Sequence, residues 1–593
     1  MTTSPKVSRV LQTHGVLGSV ALALAIVARL ASADWPLFGR ALCTAPGDQI
    51  GPVIASDGAG GAIVAWHDRR LFPFNIDVQH VLASGDVDAS WTANGQALLT
   101  TALAQSIVPE GREFPAIAAD GAGGAIVTWP DARSSANGLD VFAQHVLASG
   151  AVDPSWPVDG TTICAAPQDQ SEPVIVADGG GGAFIAWVDG RSGTTSDRDV
   201  FAQHVLASGR VDSRWPANGR AVCTAPKSQV VLGIVTDGAG GLFLTWTDFR
   251  SGNPGSDIFA GHVLDSGAVD PAWPVDGLGV CTAPGSQVGP RAVSDGAHGV
   301  ILTWTDTRDG TNEIFAQRLL VTSAIATGWP VNGRAVSVGG TDEVAPTLVP
   351  DGASGAIVAW GGGSSGHHNM RAQHVLASGI LDPAWPATGT SLSFAPAEET
   401  SQVMASDGAS GAIVAWQQSG EESSFDVFAQ HVLASGALDP AYPVNGRVVV
   451  ALPGEEHQPD IVAAGLEGAI VTWMDDRDGN TDVYALQVQV AGTAGVPPSA
   501  SNELGLLPPS PNPARVSMTL RYALPRGAGV TLAIFDLTGR RIRSLVSESQ
   551  PAGRHAVDWD LRDEQGRAVS TGVYFAKLEV EHHTLARTLL TVR

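Results

Sequence analysis

Asp475, Asp476, Asp478, Asn480 and Asp482 crowd one short segment of this chain. Several oxygens from one flexible loop suit calcium, although the spacing is not that of an EF-hand. A second set is looser: His367, His368, Glu398, Glu399, Glu421, Glu422, Glu455, Glu456 and His457 bring paired acids and imidazoles to three neighbouring stretches. Such residues could bind a polar ligand, hold a cation or serve as acid and base, and a solvated acidic rim is the plainer alternative. A third pattern, W-x-D-x-R, recurs as Asp68/Arg70, Asp131/Arg133, Asp189/Arg191, Asp248/Arg250, Asp306/Arg308 and Asp475/Arg477. An Asp opening a loop accepts bonds from amides two residues on, so a structural Asp–Arg pair is expected there. No residue is assigned a catalytic role. The pattern of a sialidase fails because its tyrosine nucleophile has no counterpart beyond Tyr442 and Tyr484, which stand where other repeats carry Trp and Phe.

The elements that must position these residues are legible in the tryptophans. Of the 16 in the chain, one set ends an apolar run (Trp66, Trp129, Trp187, Trp246, Trp304, Trp360, Trp416, Trp473). Another opens a W-P-x-x-G segment (Trp35, Trp91, Trp156, Trp215, Trp273, Trp329, Trp385), with Tyr442 in the eighth place. The period is about 57 residues, which signals a ring or an array. Within residues 171–219, four runs of strand-forming residues are bounded by Gly, Asp and Pro, reading as a four-stranded antiparallel sheet. Its second run is apolar throughout, so both faces must be covered. Sheets repeated radially supply that cover, as in a β-propeller. The chain enters on the W-P element of Trp35 and leaves its last repeat without one, so the N-terminal strand is expected to close blade eight. Both tryptophan sets are expected to pack between blades, each N–H bonded to neighbouring backbone.

The same symmetry constrains other residues. His80, His145, His204, His262, His374 and His431 share one strand position and cannot converge on a metal. Cys43, Cys164, Cys223 and Cys281 also share one, too far apart for the ~7 Å limit of a bridge, so buried free thiols are expected.

Composition narrows the function classes. Apolar residues make up 44% and charged ones 16% of 593 residues, and the formal charge is −25 with only three lysines (Lys6, Lys227, Lys577). Phosphate affinity comes from Lys and Arg, so nucleic acid is not an expected partner. Lys6, Arg9, the apolar Gly15–Ala28 and Ala31-Ser32-Ala33 read as a signal peptide over 1–33. No membrane span is expected in the mature chain.

After the repeats (34–492) and a Pro/Ser-rich linker (493–509), residues 510–593 follow a different grammar. Pro511-Asn512-Pro513, the D-x-x-G-R of Asp536, Gly539 and Arg540, Ala552-Gly553 to His555, and Ser570-Thr571-Gly572-Val573-Tyr574-Phe575 lie between about seven short strands, the pattern of a small Ig-like β-sandwich. This module resembles the C-terminal sorting domains of type IX secretion cargo and is similar to the Ig-like domain of flagellar hook-capping proteins. The resemblance implies export through secretion machinery, then release or attachment at the outer cell surface. The repeats themselves resemble those of uncharacterised secreted proteins.

The sequence thus points to an all-β, eight-bladed propeller followed by a sandwich. The expected role is a secreted or cell-surface binding protein that meets an extracellular glycan or protein through the variable loop face of its blades. No cofactor is expected apart from the calcium already considered. The alternatives are a glycan-active hydrolase or lyase on the same scaffold, and a structural surface component.

Overall fold

The computed structural model describes residues 35–490 and 505–591, apart from residue 37 and the short segments 71–73, 101–113, 134–137, 194–196, 253–254, 339–341, 365–366, 420–423, 466–467, 507–517, 525–527, 537–538, 551–552 and 581–582. The proposed signal peptide, most of the linker, Glu421, Glu422, Pro511-Asn512-Pro513 and Ala552 therefore lie outside the described residues.

Eight four-stranded antiparallel sheets follow one another, each in chain order except the last, where Arg40–Cys43 pairs with Asp482–Val488 as the outer strand of blade eight. Each first strand lies against the first strand of the next blade, and Gln49–Ser56 meets Glu456–Ala463 to close the ring. The chain folds as an eight-bladed β-propeller whose N-terminal strand completes its last blade.

Blade three shows why this sequence forms a blade. Gln170–Ala177, Ala183–Asp189, Asp199–Val205 and Arg220–Cys223 are its strands. The second and third are buried along their whole length, because adjacent blades cover both faces. The fourth strand is shorter than the sequence implied. Trp215 lies outside it, in the preceding turn. Two repeat glycines exist to seat tryptophans. Gly219, at φ +92°, would place a Cβ 2.4 Å from Cη2 of Trp187, and Gly209, at φ +75°, would place one 2.6 Å from Cγ of Trp156 in blade two. Any L-residue would be strained at these angles and would also strike the ring.

The two tryptophan sets do different work. The W-P set locks blade to blade: Trp91 Nε1 donates to Ala148 O at 3.2 Å, Trp156 to Ala207 O at 3.1 Å and Trp385 to Ala434 O at 3.1 Å. Tyr442 keeps the link through its hydroxyl, which donates to Gln489 O at 2.6 Å. Trp35 and Trp215 depart from this rule, since their buried indole N–H groups have no partner. The other set is fully buried, yet in seven of the eight the N–H donates to a carboxylate within its own blade rather than to backbone. A buried Asp does this better than a carbonyl, since bonds to a charged acceptor are roughly twice as strong.

At the C-terminus seven strands form a three-stranded and a four-stranded sheet around Trp559, Tyr522, Leu532 and Leu578. Gly505–Leu506, expected in the linker, instead pairs with Met518–Leu524.

Candidate functional site

The loops from second to third strand and the connections between blades share one face, as the bonds Gly190 N to Asp169 O and Ser419 N to Glu398 O require. The W-x-D-x-R motif sits there. In blade three, Asp189 Oδ2 accepts from Trp187 Nε1 at 2.7 Å, and Oδ1 accepts from Arg191 N at 2.9 Å. The Arg191 guanidinium stacks 3.8 Å over Phe201 and donates to Asn218 O at 2.8 Å. It also donates to Cys164 Sγ at 3.2 Å. One Asp thus ties together an indole, a loop amide and a guanidinium, and the guanidinium in turn covers a Phe of the third strand. The four cysteines are buried and free, and burial pushes each thiol up to about 12.

Asp475 belongs to this clamp. It is fully buried and accepts from Trp473 Nε1 at 2.9 Å and from Arg477. Asp476 accepts from Glu455 N. Asp482 accepts from Asn480 at 2.8 Å, and burial holds its carboxyl up at about 6. Asp478 is exposed. The crowding of acids along the sequence does not become crowding of oxygens in space: among the described residues no three His, Cys, Asp or Glu side chains converge as ligands would.

Blades six and seven lack W-x-D-x-R, and the structure shows what replaces it. At the start of the first strand, Gln49, Gln170, Gln229 and Gln287 pair across from the clamp Asp in blades one, three, four and five. In blades six and seven the corresponding pairs are Glu343–Gly362 and Glu399–Gln418. The carboxylate has moved one strand inward. Trp360 Nε1 donates to Glu343, while Glu399 faces Trp416 and accepts from Met370 N at 2.7 Å and from Ser393. Blade eight has both acids, and burial together with Asp475 pushes Glu456 up to about 9. Glu399, raised to about 7 mainly by burial, and Glu456 are thus buried acids of the blade core. The sequence reading had set them on the ligand-facing rim. Burial overrides it, because each is at most 1% exposed.

What remains of the second set gathers at blades six and seven. The His368 ring donates through Nδ1 to Glu398 Oε1 at 2.8 Å, its backbone N–H donates to Oε2 at 2.9 Å, and Asp342 Oδ2 lies 3.7 Å from Nε2. Asp342 and Glu398 keep 36% and 25% of their side chains in solvent, so both carboxylates remain reachable. His367 beside them is exposed. Asp342 was not singled out from sequence. Glu455 and His457 are half-buried in blade eight, and Nδ1 of His457 has no partner.

On the opposite face the repeat histidines form the same cluster six times. His431 Nδ1 is 2.8 Å from Asp439 Oδ2 and its Nε2 is 3.0 Å from Asp407 Oδ2. Asp407 also caps its own D-G-x-x-G turn through Ala409 N and Gly411 N. With carboxylates on both nitrogens, the imidazole must carry both protons. Burial works to lower the pKa of His431, and the two carboxylates override it and raise it. Blade five carries Arg318 on Asp295 alone, with Ala326 in the second Asp position. Blade eight carries the neutral Gln487, with Ala464 in the first. Each histidine cluster keeps a net charge of one minus, the Arg318–Asp295 pair of blade five is neutral, and blade eight loses the cation and the first Asp together.

Against known proteins, the match lies at the C-terminus. Residues 513–583 match the FlgD Ig-like domain. That stretch holds most of the seven strands, so the FlgD-like module is the part of the chain with a sequence relative. No curated protein matches the chain. Among solved structures, the chain is similar to the β-propeller domain of the Trilobed protease from Pyrococcus furiosus, at 8% identity and TM-score 0.35, over 65% of this chain and 95% of that one. It is also similar to an α-L-arabinanase of Penicillium chrysogenum complexed with arabinobiose (12%, 0.32, covering 59% and 99%). A third likeness is to the acylaminoacyl peptidase of Pyrococcus horikoshii (8%, 0.36, covering 74% and 59%). Among the described residues no helix is long and apolar enough to cross a membrane.

Proposed function

We propose that this chain is an exported binding protein that engages an extracellular partner, a glycan in the first instance, through the loop face at blades six and seven. The observation that carries this reading is a division between spent and unspent polar residues. The repeated Asp, Arg and His side chains are committed to Asp–Arg clamps and Asp–His–Asp clusters inside the blades that carry them. His367 and the oriented ring of His368 have no histidine counterpart in the other blades, and they stand on one face with Asp342 and Glu398, whose acid position recurs as Asp48, Asp169 and Glu455; both carboxylates are partly in solvent and His367 is exposed. A binding site must differ from its symmetry mates, and this is where the ring differs. The FlgD-like module and its resemblance to sorting domains support export and a place at the outer cell surface.

The test is a glycan and polysaccharide array probed with the full-length protein, with and without calcium. Selective retention without release of shortened product supports the reading. Product release that ends on changing Glu398 would move the protein to the hydrolases, and self-association with a blank array would make it a structural surface component.

A further inference from the structure

The first strands of the blades surround an axial channel. At one level of it stand Val53, Ala116, Val174, Gly233, Arg291, Thr347, Val403 and Asp460, so a single cation and a single anion interrupt an otherwise uncharged ring. A cavity of about 340 Å³ opens here between blades two and six, with Arg291, Thr347, Gly233 and apolar side chains such as Val174, Leu232 and Leu348 in its wall. Arg291 makes no hydrogen bond and no ion pair within 4 Å among the described residues, although Asp460 of the same ring attracts its charge. Asp460 is already engaged, accepting from Ile54 N at 3.1 Å and Ile461 N at 2.9 Å.

We infer that the axial cavity is a binding site for a small organic monocarboxylate bearing hydroxyl groups, with Arg291 taking the carboxylate and Thr347 a hydroxyl. Guanidinium and carboxylate match as a two-pronged pair, and the apolar wall accommodates the carbon skeleton. One cation inside a chain of formal charge −25 favours a singly charged ligand over a phosphate. This site is separate from the loop-face reading and does not rest on it.

The test is titration calorimetry of the full-length protein with glucuronate, using glucose as the uncharged control. Saturable binding of glucuronate and none of glucose is expected. Arg291→Gln should weaken it about tenfold or more, as loss of a charged hydrogen bond does. The near-isosteric Thr347→Val should weaken it several-fold with unchanged circular dichroism and melting. Absence of saturable heat, equal affinity in Arg291→Gln, or equal binding of glucose would overturn the proposal. If Arg291→Gln does not fold, unchanged affinity in Thr347→Val would overturn it instead.

Discussion

His431→Gln is the sharpest test of the charge pairing in the histidine clusters. His431 and its partners Asp407 and Asp439 have side chains only 1%, 4% and 3% exposed, so solvent screens little. Replacing the imidazolium with a neutral amide leaves two buried carboxylates uncompensated. Breaking a buried pair in this way costs about 3–5 kcal/mol. The molecule itself supplies the rescue. His431→Arg with Asp439→Ala copies blade five, and His431→Gln with Asp407→Ala copies one half of blade eight. The blade-five copy should recover to within about 1 kcal/mol of the parent, and the blade-eight copy should recover part of the loss. The pH dependence follows from signs. A raised His pKa contributes stability that is present below the unfolded value of 6.5 and lost as pH rises through the folded value. The lowered pKa of Asp407, against which burial works and which His431 and the turn amides bring down, contributes stability present above 3.8 and lost as pH falls through the folded value. The cluster is therefore worth most between those limits, and the blade-five copy should lose the alkaline part of the dependence. Urea unfolding from pH 2 to 9 measures all of this. A single variant as stable as the parent, or a blade-five copy no better than the single variant, would refute the reasoning.

Further outcomes follow from other parts of the blades. Glu456→Gln should be neutral below pH 4.5 and relatively stabilising as pH rises toward about 9, because burial and Asp475 keep the acid protonated in the fold; urea midpoints of the two proteins at pH 5 and 8 check this. Asp189→Asn should cost about 1–3 kcal/mol, since it weakens the acceptor shared by Trp187 and Arg191, and thermal unfolding reads it. The four thiols, raised to about 12, should resist iodoacetamide in the native protein at pH 8 and react fully in urea, as mass spectrometry would show.

The blade count, the closing strand and the buried free cysteines were legible because repetition fixes them: a residue seen eight times at one spacing has one environment. The Asp–Arg pairing of W-x-D-x-R was legible for the same reason. The partners that lie far apart in sequence were not. Asp57 and Asp88 hold His80 from 23 and 8 residues away, and the indole bond to Asp189 depends on the pleat of its own strand. The largest misreading, of Glu399 and Glu456 as rim acids, came from taking blades six to eight as variable loops. Aligning Gln49, Gln170, Gln229 and Gln287 with Glu343, Glu399 and Glu456 would have exposed the exchange, because blades six and seven trade the clamp Asp for that Glu. Arg291 had no signal in a single repeat. Its significance lies in being unlike seven neighbours that only the closed ring brings to one level.

The central claim is that the loop face at blades six and seven is the binding surface. It is tested most directly by comparing array binding of the parent with His367→Ala/Glu398→Lys and with a control on the opposite face, Ser90→Lys. Binding lost in the first variant and kept in the second is the predicted result. Binding that survives the first, or is lost only in the second, would contradict the account.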